Sequence, residues 1–351
     1  MVPPFEPRQY SNTQVNKAGE RLKHPETLTP QEREDAIRVL MNYRLLHYAP
    51  LNTFQATLRK RLQALGCGKA IVAQRIKRLP TILEKLQRFP SMQLNRMQDI
   101  GGIRTITTNM AELDRICAAY AQGKGRMRHQ MVRMDDYVAQ PKASGYRGRH
   151  IVFRYSHPLP DYNGLQVEMQ FRTRLQHVWA TAVETFEAFM GEQFKSGKGD
   201  ARWLEFFALV SNAYALAEGQ PVLERHRALK PAKLHAQIRK MARELGVQEK
   251  IQGFSSVSKL LPDITKAKAA IAVLVLDTHE KSVQVRLFAV NRYREAYDVY
   301  TREEQRSAGD SRRQVVLVKT DSLKRLQKAY PNYFADLKEF RQSLQRIISP
   351  A

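Results

Sequence analysis

The sequence feature that most restricts the fold is an alternation of apolar and polar residues over residues 164–173, GLQVEMQFRT. In an extended chain, successive side chains point to opposite faces, so the apolar residues share one face of a strand. The opposite face carries a carboxylate, an amide and a guanidinium: Glu168, Gln170 and Arg172. A strand with one apolar face must be covered by another layer. The segment therefore predicts a sheet covered by helices, with a polar site on one face.

The rest of the first 220 residues alternates between helical and strand periods. The tetrapeptide TPQE at residues 29–32 is a capping box with proline at the first helical position, which predicts a helix start. Other expected elements are strands around Ile103, Val132 and residues 151–153, and helices at about 174–193 and 202–218. We therefore predict an α+β fold, with a mixed β-sheet covered by helices, for a first domain at residues 1–220.

Two smaller parts are predicted to follow. Residues 221–262 are rich in Lys and Arg and predict a basic helical connector, for which the simplest interpretation is a solvated charged helix. Residues 263–351 predict a second domain with a β-hairpin at about 270–290, a third strand and terminal helices. In outline this domain resembles a metal-free zinc ribbon. The chain has only two cysteines, Cys67 and Cys117, so we expect no structural zinc.

The charge of the chain favours polyanionic ligands. Its 351 residues include 58 Lys and Arg against 34 Asp and Glu, which gives a formal net charge of +24. Residues 51–150 hold 19 basic side chains against 6 acidic ones, which points to a local anion site. The longest apolar run, residues 269–276, is shorter than the roughly 20 residues of a spanning helix, and no secretory signal is visible. We expect a cytoplasmic protein with no membrane partner.

The first of four short motifs lies at residues 75–88 and is suited to binding a triphosphate. Arg75 and Lys77 share a face if their segment is extended, and Thr81 and Lys85 lie one turn apart on the following helix. Cations that converge on one triphosphate neutralise its charge and the charge that develops on the leaving group. The alternative is a basic helix face in contact with solvent.

The second motif, DIGGIR at residues 99–104, places Asp99 and Arg104 on either side of a glycine pair at the start of a strand. A carboxylate there can bind Mg²⁺, whose other ligands are water and phosphate oxygens. The fourth motif is EMQFRT at residues 168–173, within the alternating segment, and its carboxylate is Glu168. Two carboxylates and one Mg²⁺ can hold a nucleoside triphosphate and accept a proton from an attacking hydroxyl. The alternatives are a turn with a surface ion pair and a solvated polar strand face.

The third motif is the glycine-containing segment DYVAQPKASGYRGRH at residues 136–150. Its tyrosine, Tyr146, offers an aromatic face on which a base can stack, a contact worth roughly 1–3 kcal/mol per base. Cationic or hydrogen-bonding side chains surround this tyrosine: Lys142, Arg147, Arg149 and His150. The alternative is that Tyr146 is a packed anchor, which the clustered cations argue against.

In this order, the motifs R-x-K-x₃-T-x₃-K, D-I-x-G-x-R, D-Y-x₃-P-K-x₂-G-Y-x₃-H and E-x-Q-x-R-T resemble the synthetase domain of the RelA/SpoT alarmone family over about residues 70–190. The resemblance implies transfer of the β,γ-pyrophosphate of ATP to a ribose 3′-hydroxyl, with Mg²⁺ bound by Asp99 and Glu168 and with Glu168 as the base. It assigns the ATP phosphates to Arg75, Lys77, Thr81, Lys85 and Arg104. It assigns the acceptor to Lys142, Tyr146, Arg147, His150, Gln170 and Arg172.

The C-terminal part adds a resemblance to the CapRel group of fused toxin–antitoxin proteins of anti-phage defence, carried by the motif Y-x-x-Y at Tyr330 and Tyr333. It implies that residues 1–220 are a toxin domain and residues 263–351 an autoinhibitory antitoxin domain that senses a phage capsid protein. The alternative, in which both tyrosines pack along one terminal helix, conflicts with Pro331 between them.

Three functions are therefore open. The leading hypothesis is an autoinhibited enzyme that transfers pyrophosphate from ATP to the 3′ CCA end of tRNA and so stops translation. The second is a small alarmone synthetase that uses a free guanosine or adenosine nucleotide as acceptor. The third is a non-catalytic module that binds RNA or another partner on a synthetase scaffold.

Overall fold

The alternating segment folds as a strand inside one mixed sheet. The structure is a computed structural model that describes residues 6–122, 128–255, 270–280, 282–307, 310, 312–320, 323–334 and 336–349. Within these residues the strands are β1 (Ile71–Ile76), β2 (Gly101–Thr107), β3 (Gln130–Asp136), β4 (Arg149–Arg154), β5 (Gln166–Thr173), β6 (Ala270–Asp277), β7 (Ser282–Phe288) and β8 (Arg313–Thr320).

The strands lie in the order β3-β4-β5-β2-β1-β8-β6-β7. Strands β2 and β5 run parallel, and the other neighbouring pairs run antiparallel, which confirms the predicted mixed sheet. The parallel register sets Gly102 of β2 opposite Glu168 of β5. The second and fourth motifs therefore meet at the middle of the sheet.

Helices occupy most of the remaining described chain. They are α1 (Asn12–Lys23), α2 (Pro30–Leu46), α3 (Tyr48–Ala64), α4 (Leu79–Arg88), α5 (Met110–Ala121), α6 (Arg174–Met190), α7 (Ala201–Ala217), α8 (Pro231–Glu244), α9 (Val247–Ser255), α10 (Tyr293–Arg306), α11 (Leu323–Ala329) and α12 (Lys338–Ile348). The predicted capping box is confirmed, because the Thr29 side chain accepts from the Glu32 amide at the start of α2.

The C-terminal strands do not form the separate, zinc-ribbon-like unit that the sequence predicts. Instead, β8 pairs antiparallel with β1, with Gln74 opposite Lys319 and Arg75 opposite Val318, so that β8, β6 and β7 extend the first sheet. Without β8, strand β1 would present a row of unpaired backbone groups at a sheet edge. The domain boundaries near residues 220 and 262 stay predictions.

The two faces of the sheet differ in chemistry. One face is apolar and packs against α2, α3, α5 and α10, and Val167, Met169 and Phe171 of β5 are fully buried there. The other face carries the polar side chains of β2 and β5 and lies against α6. A further apolar cluster joins α6, α7, α8 and α12 behind that helix. The polar side chains of β2 and β5 therefore lie between the sheet and α6.

The C-terminal helical region is interrupted at Pro331, as the sequence predicts. Helix α11 ends at Ala329, and Pro331–Phe334 form a 3₁₀ turn before α12 begins at Lys338. In the part of the chain that the structure describes, no helix combines the length and apolar character needed to cross a membrane.

Candidate active site

The pairing of β2 with β5 brings the two predicted carboxylates to one end of the polar face. Glu168 lies opposite Gly102, and Asp99 precedes β2 by two residues. The two carboxylates are close enough to interact electrostatically. The two predicted carboxylates therefore belong to one electrostatic cluster.

Asp99 is held by the two lysines of the first motif. Lys77 Nζ donates to Asp99 Oδ2 and Lys85 Nζ donates to Asp99 Oδ1, each at 2.9 Å. Burial would raise the pKa of Asp99, but the two ammonium groups hold it well below its usual range. Thr81 lies one turn before Lys85, and its hydroxyl donates to the Arg78 carbonyl at 2.8 Å. The first two motifs therefore form one cluster around an ionised carboxylate.

Glu168 is the centre of a second hydrogen-bonded cluster. His150 Nδ1 donates to Glu168 Oε1 at 2.8 Å, and Gln170 Nε2 donates to Glu168 Oε2 at 2.6 Å. The Tyr146 hydroxyl donates to His150 Nε2 at 2.6 Å and accepts from Arg172 Nη2 at 2.9 Å. Burial raises the pKa of Glu168, but the contact with His150 outweighs it and lowers the pKa to about 2. The carboxylate is therefore ionised and can accept a proton.

The structure places Tyr146 differently from the exposed platform that the sequence predicts. Its ring is 3% exposed and packs against Trp179, with centroids 6.5 Å apart. Three cations also lie near its ring, at 4.9–5.7 Å from the centroid: Lys142, Arg172 and Lys195. Stacking on an acceptor base requires these groups to move, so that role stays a prediction.

Two other predicted acceptor residues are placed differently from each other: the Lys142 ammonium interacts electrostatically with Glu168, whereas Arg147 packs against α7. Lys142 is exposed, and its ammonium lies 4.4 Å from the ring centroid of Tyr137, at the rim of the site. Arg147 points to the opposite side of the loop from Tyr146, where its Nε donates to Ser211 Oγ at 3.1 Å. Burial lowers the pKa of Arg147 to about 10. Arg147 is thus built into the packing of α7 in this structure.

The structure adds two residues that the sequence reasoning missed, Glu184 on α6 and Lys195 after it. They form an ion pair, and Arg104 Nη2 lies 3.7 Å from Glu184 Oε1. Burial raises the pKa of Glu184, but Lys195 and three arginines outweigh it and hold the pKa well below its usual value. Burial lowers the pKa of Lys195 to about 8. One signal was available, since Glu184 follows His177 by two helical turns on the same face of α6.

Residues 323–334, consisting of α11 and the 3₁₀ turn, cover this cationic cluster, and we call them the lid. Arg104 Nη1 donates to the Ala329 carbonyl at 3.1 Å, and His177 Nε2 donates to the Lys328 carbonyl at 3.0 Å. The Arg104 guanidinium lies 5.3 Å from the ring centroid of Tyr330. Tyr330 and Tyr333 are 1% and 3% exposed. Carbonyl oxygens and phenol rings of the lid thus occupy the region to which the sequence assigns ATP phosphates.

Three buried polar atoms in the lid and in the cationic cluster have no hydrogen-bond partner within the described chain: Tyr330 Oη, Arg104 Nε and Arg172 Nη1. A buried donor without a partner costs about 1–3 kcal/mol. Two of these atoms are guanidinium donors, the groups that bind phosphate oxygens in proteins. The cluster is therefore under-satisfied when it is closed by the lid.

The donor set also fits Mg²⁺. Asp99 and Glu168 are both ionised, and Mg²⁺ is bound by one or two carboxylates together with waters and substrate phosphates. No larger cluster is present, because the described residues contain no group of three or more His, Cys, Asp or Glu side chains that could hold a metal. A metal here would depend on the nucleotide for several of its ligands.

Comparison with known proteins shows what this region is similar to. Residues 74–187 match the family model for a region found in RelA / SpoT proteins. The match begins within β1 and contains β2, β3, β4 and β5.

Particular relatives are pyrophosphokinases by name. The chain is 34% identical over 115 residues to GTP pyrophosphokinase YjbM of Bacillus subtilis, which covers 31% of this chain and 52% of that protein. It is 29% identical over 150 residues to a GTP pyrophosphokinase of Escherichia coli, which covers 43% of this chain and 19% of that protein. The chain thus spans about half of the Bacillus relative and a fifth of the Escherichia one.

Solved structures of similar proteins include small alarmone synthetase 2 from Bacillus subtilis, with a TM-score of 0.43 and 18% identity over 51% of this chain and 93% of that one. Small alarmone synthetase 1 from the same organism, bound to its product pppGpp, gives a TM-score of 0.42 and 24% identity over 50% of this chain and 91% of that one.

Proposed function

We propose that the protein is an ATP-dependent pyrophosphokinase that transfers the β,γ-pyrophosphate of ATP to the 3′-hydroxyl of a guanosine nucleotide. The observation that carries this proposal is the meeting of two ionised carboxylates, Asp99 and Glu168, with a cluster of cations on one sheet face. The names of the relatives support the choice of acceptor. This acceptor was the second hypothesis from the sequence, and it now becomes the first.

The reaction needs one proton acceptor and a way to balance phosphate charge. The acceptor's 3′-oxygen attacks the β-phosphorus of ATP, the bond from that phosphorus to the α,β-bridging oxygen breaks, and AMP leaves with the electron pair. The hydroxyl proton passes to Glu168, which His150 and Gln170 orient. Bound Mg²⁺ would supply charge neutralisation at the phosphates. The residues proposed to hold those phosphates are Arg75, Lys77, Thr81, Lys85 and Arg104.

A specific observation favours the second candidate acceptor, the 3′ end of tRNA. Arg225 lies in the basic segment after α7, and its Nη1 donates to the Ala143 carbonyl at 2.8 Å. Ala143 belongs to the third motif, residues 136–150, which we call the acceptor loop. Further exposed cations follow in this segment: Arg227 and Lys230 lie before α8, and Lys233, Lys240 and Arg243 lie on it. A row of cations that begins at the acceptor loop can follow an RNA backbone. It supplies affinity for RNA without specifying a sequence.

We also propose that the lid inhibits the enzyme by occupying the ATP site. An intrachain segment acts at an effective concentration of the order of millimolar, so a weak contact suffices to compete with ATP. The resemblance to the CapRel group implies this role for the Y-x-x-Y motif, and the burial of Tyr330 and Tyr333 supports it. A trigger that shifts the lid from about 1:99 to 99:1 must prefer the open form by about 5.5 kcal/mol.

The proposed trigger, a phage capsid protein, requires an accessible surface. Strand β7 lies at the end of the sheet, and β6 pairs on both sides. The outer edge of β7 therefore offers backbone groups for strand addition by a partner.

An acceptor assay tests the proposal directly. The full-length protein is incubated with Mg²⁺ and ATP labelled at the γ-phosphate, in parallel with guanosine nucleotides, adenosine nucleotides and tRNA. Label on a guanosine nucleotide supports the first proposal, and label on RNA alone replaces it with the second. Glu168→Gln is the matched control, since it keeps the shape of the side chain and removes the base. No Mg²⁺-dependent transfer to any acceptor, even in a Tyr330→Ala variant, would leave a binding module as the function.

A further inference from the structure

A buried ion pair connects the C-terminal part of the chain to the phosphate-binding motif. Arg44 on α2 and Glu304 on α10 are 0% and 2% exposed at their side chains, and Arg44 Nη1 donates to Glu304 Oε2 at 3.0 Å. Tyr300 lies between them: its hydroxyl accepts from Arg44 Nη2 at 2.6 Å and donates to Glu304 Oε1 at 2.5 Å. The three polar side chains form a closed network, which we call the brace.

The brace holds both ends of the short turn that joins β1 to α4. Arg44 Nη2 donates to the Lys77 carbonyl at 2.8 Å, and Glu304 Oε1 accepts from the Leu79 amide at 2.8 Å. Lys77 is one of the two lysines on Asp99, and Leu79 begins the helix that carries the other, Lys85. The turn therefore fixes the position of both lysines.

Helix α4 needs this outside contact at its first residue. Its N-cap residue, Arg78, makes no side-chain capping hydrogen bond, and its second residue is Pro80, which has no amide proton to satisfy. A carboxylate at a helix N-terminus satisfies a free amide and interacts favourably with the helix dipole. Glu304 supplies that carboxylate from 225 residues away in the sequence.

We propose that Glu304 is a positioning residue for the phosphate-binding turn at residues 77–79, so that α10 of the C-terminal part is required for ATP binding while the lid opposes it. This inference rests on the proposed function, because it assigns ATP phosphates to Lys77 and Lys85. It divides the C-terminal part into two roles. Helix α10 completes the nucleotide site, and the lid, residues 323–334, covers it. Removing the whole C-terminal part would then weaken the enzyme rather than release it.

The test separates positioning from folding by replacing the brace with apolar side chains. Substituting a buried ion pair by hydrophobic residues of similar volume is often neutral for stability. The triple variant Arg44→Met, Tyr300→Phe, Glu304→Leu removes the brace's polar groups and leaves the Lys77 carbonyl and the Leu79 amide without partners. It is made in the full-length Tyr330→Ala chain, in which the lid competes less with ATP.

A matched control lies next to Glu304 on the same helix. Glu303 is also 2% exposed at its side chain, but among the described residues its ion pairs are all with arginines of the C-terminal part: Arg286, Arg306 and Arg313. Glu303→Gln breaks a buried ion pair without touching the turn. A conservative variant, Glu304→Gln, keeps an oxygen that can accept from the Leu79 amide.

Three quantities are measured: the melting temperature, hydrogen exchange of the Leu79 amide, and the Kd for Mg–ATP. For the triple variant we expect a melting temperature near that of the parent, Leu79 exchange faster by about tenfold, and Kd for Mg–ATP weaker by about tenfold, the equivalent of one hydrogen bond. Glu303→Gln should lower the melting temperature and leave the other two unchanged. Glu304→Gln should exchange the Leu79 amide as slowly as the parent does, in contrast to the triple variant.

Unchanged Leu79 exchange or unchanged Kd in a folded triple variant would overturn the inference. If the triple variant does not fold, the comparison of Glu304→Ala with Glu303→Ala decides, because only the first removes the acceptor of the Leu79 amide. Equal Kd values together with equal Leu79 exchange in these two variants overturn the inference. Failure of the parent to bind Mg–ATP would refute the proposed function instead, while exchange at Leu79 would still decide whether Glu304 holds the turn.

Discussion

Tyr330→Ala should convert a closed nucleotide site into an open one. Tyr330 is part of the lid and is 1% exposed, and its ring centroid lies 5.3 Å from the Arg104 guanidinium. Burying such a side chain stabilises the closed form by about 1.5–3 kcal/mol, and a desolvated cation–π contact adds about 0.5–2 kcal/mol. The hydroxyl has no hydrogen-bond partner in the described chain, which costs about 1–3 kcal/mol. The net contribution of Tyr330 to closure is therefore about 2 kcal/mol.

A loss of about 2 kcal/mol from the closed form corresponds to about a thirtyfold shift of the lid equilibrium. Because we propose that ATP binds only when the lid is open, we expect its apparent Kd to fall by up to the same factor. The measurement is titration calorimetry of Mg–ATP into the full-length wild type and the variant. Tyr162→Ala is the control, because Tyr162 is 4% exposed but lies in the loop between β4 and β5. The control should leave the Kd unchanged.

The same shift should be visible in cells. Expression of Tyr330→Ala or Tyr333→Ala is expected to be toxic, and a second substitution, Glu168→Ala or Tyr146→Ala, should remove the toxicity. A folded Tyr330→Ala variant that binds Mg–ATP no more tightly than wild type would refute the reasoning about the lid. Harmless expression of an open and active variant would refute its proposed biological role.

Two further predictions concern the base and the core. Glu168→Gln should lower pyrophosphate transfer by about 10²–10⁴-fold. Because Glu168 is also proposed to hold Mg²⁺, the Kd for Mg–ATP should weaken too, but by a smaller factor, and an equal loss of binding would contradict the role of base. His47 is fully buried, and burial lowers its pKa to about 4, so its neutral form stabilises the fold above pH 6.5 and this stability is lost as the pH falls from 6.5 towards 4. Between pH 6.5 and pH 5 the loss is about 2 kcal/mol, and urea unfolding of His47→Gln should lack this pH dependence; parallel curves for the two proteins would exclude it.

The elements of the first domain follow from local patterns in the sequence. The alternation over residues 164–173 predicts β5 because strand geometry has a period of two. The capping box at Thr29 predicts the start of α2, and Pro331 predicts the break before α12. These features depend on residues within a few positions of one another, which is why the sequence is enough to locate them.

The candidate site was predictable in part. The four motifs name the residues that the structure gathers around Asp99 and Glu168, because strands of one sheet bring separate motifs together. The burial of Tyr146 against Trp179 and the hydrogen bond from Arg147 to Ser211 were not predictable from the sequence, because both depend on packing against α6 and α7. Glu184 and Lys195 were missed for the same reason. A charged residue on a helix gives no local sign that it faces a site and not solvent.

The sequence by itself determined the kinds of element and the chemistry that β2 and β5 can present. Only the tertiary structure decided that β8 completes the edge of β1, that the lid lies over Arg104, and that Glu304 reaches the turn before α4. Each of these contacts joins residues more than two hundred positions apart. Their formation depends on complementary surfaces and unpaired backbone groups that exist only once the sheet has formed, and no short stretch of sequence encodes such a surface.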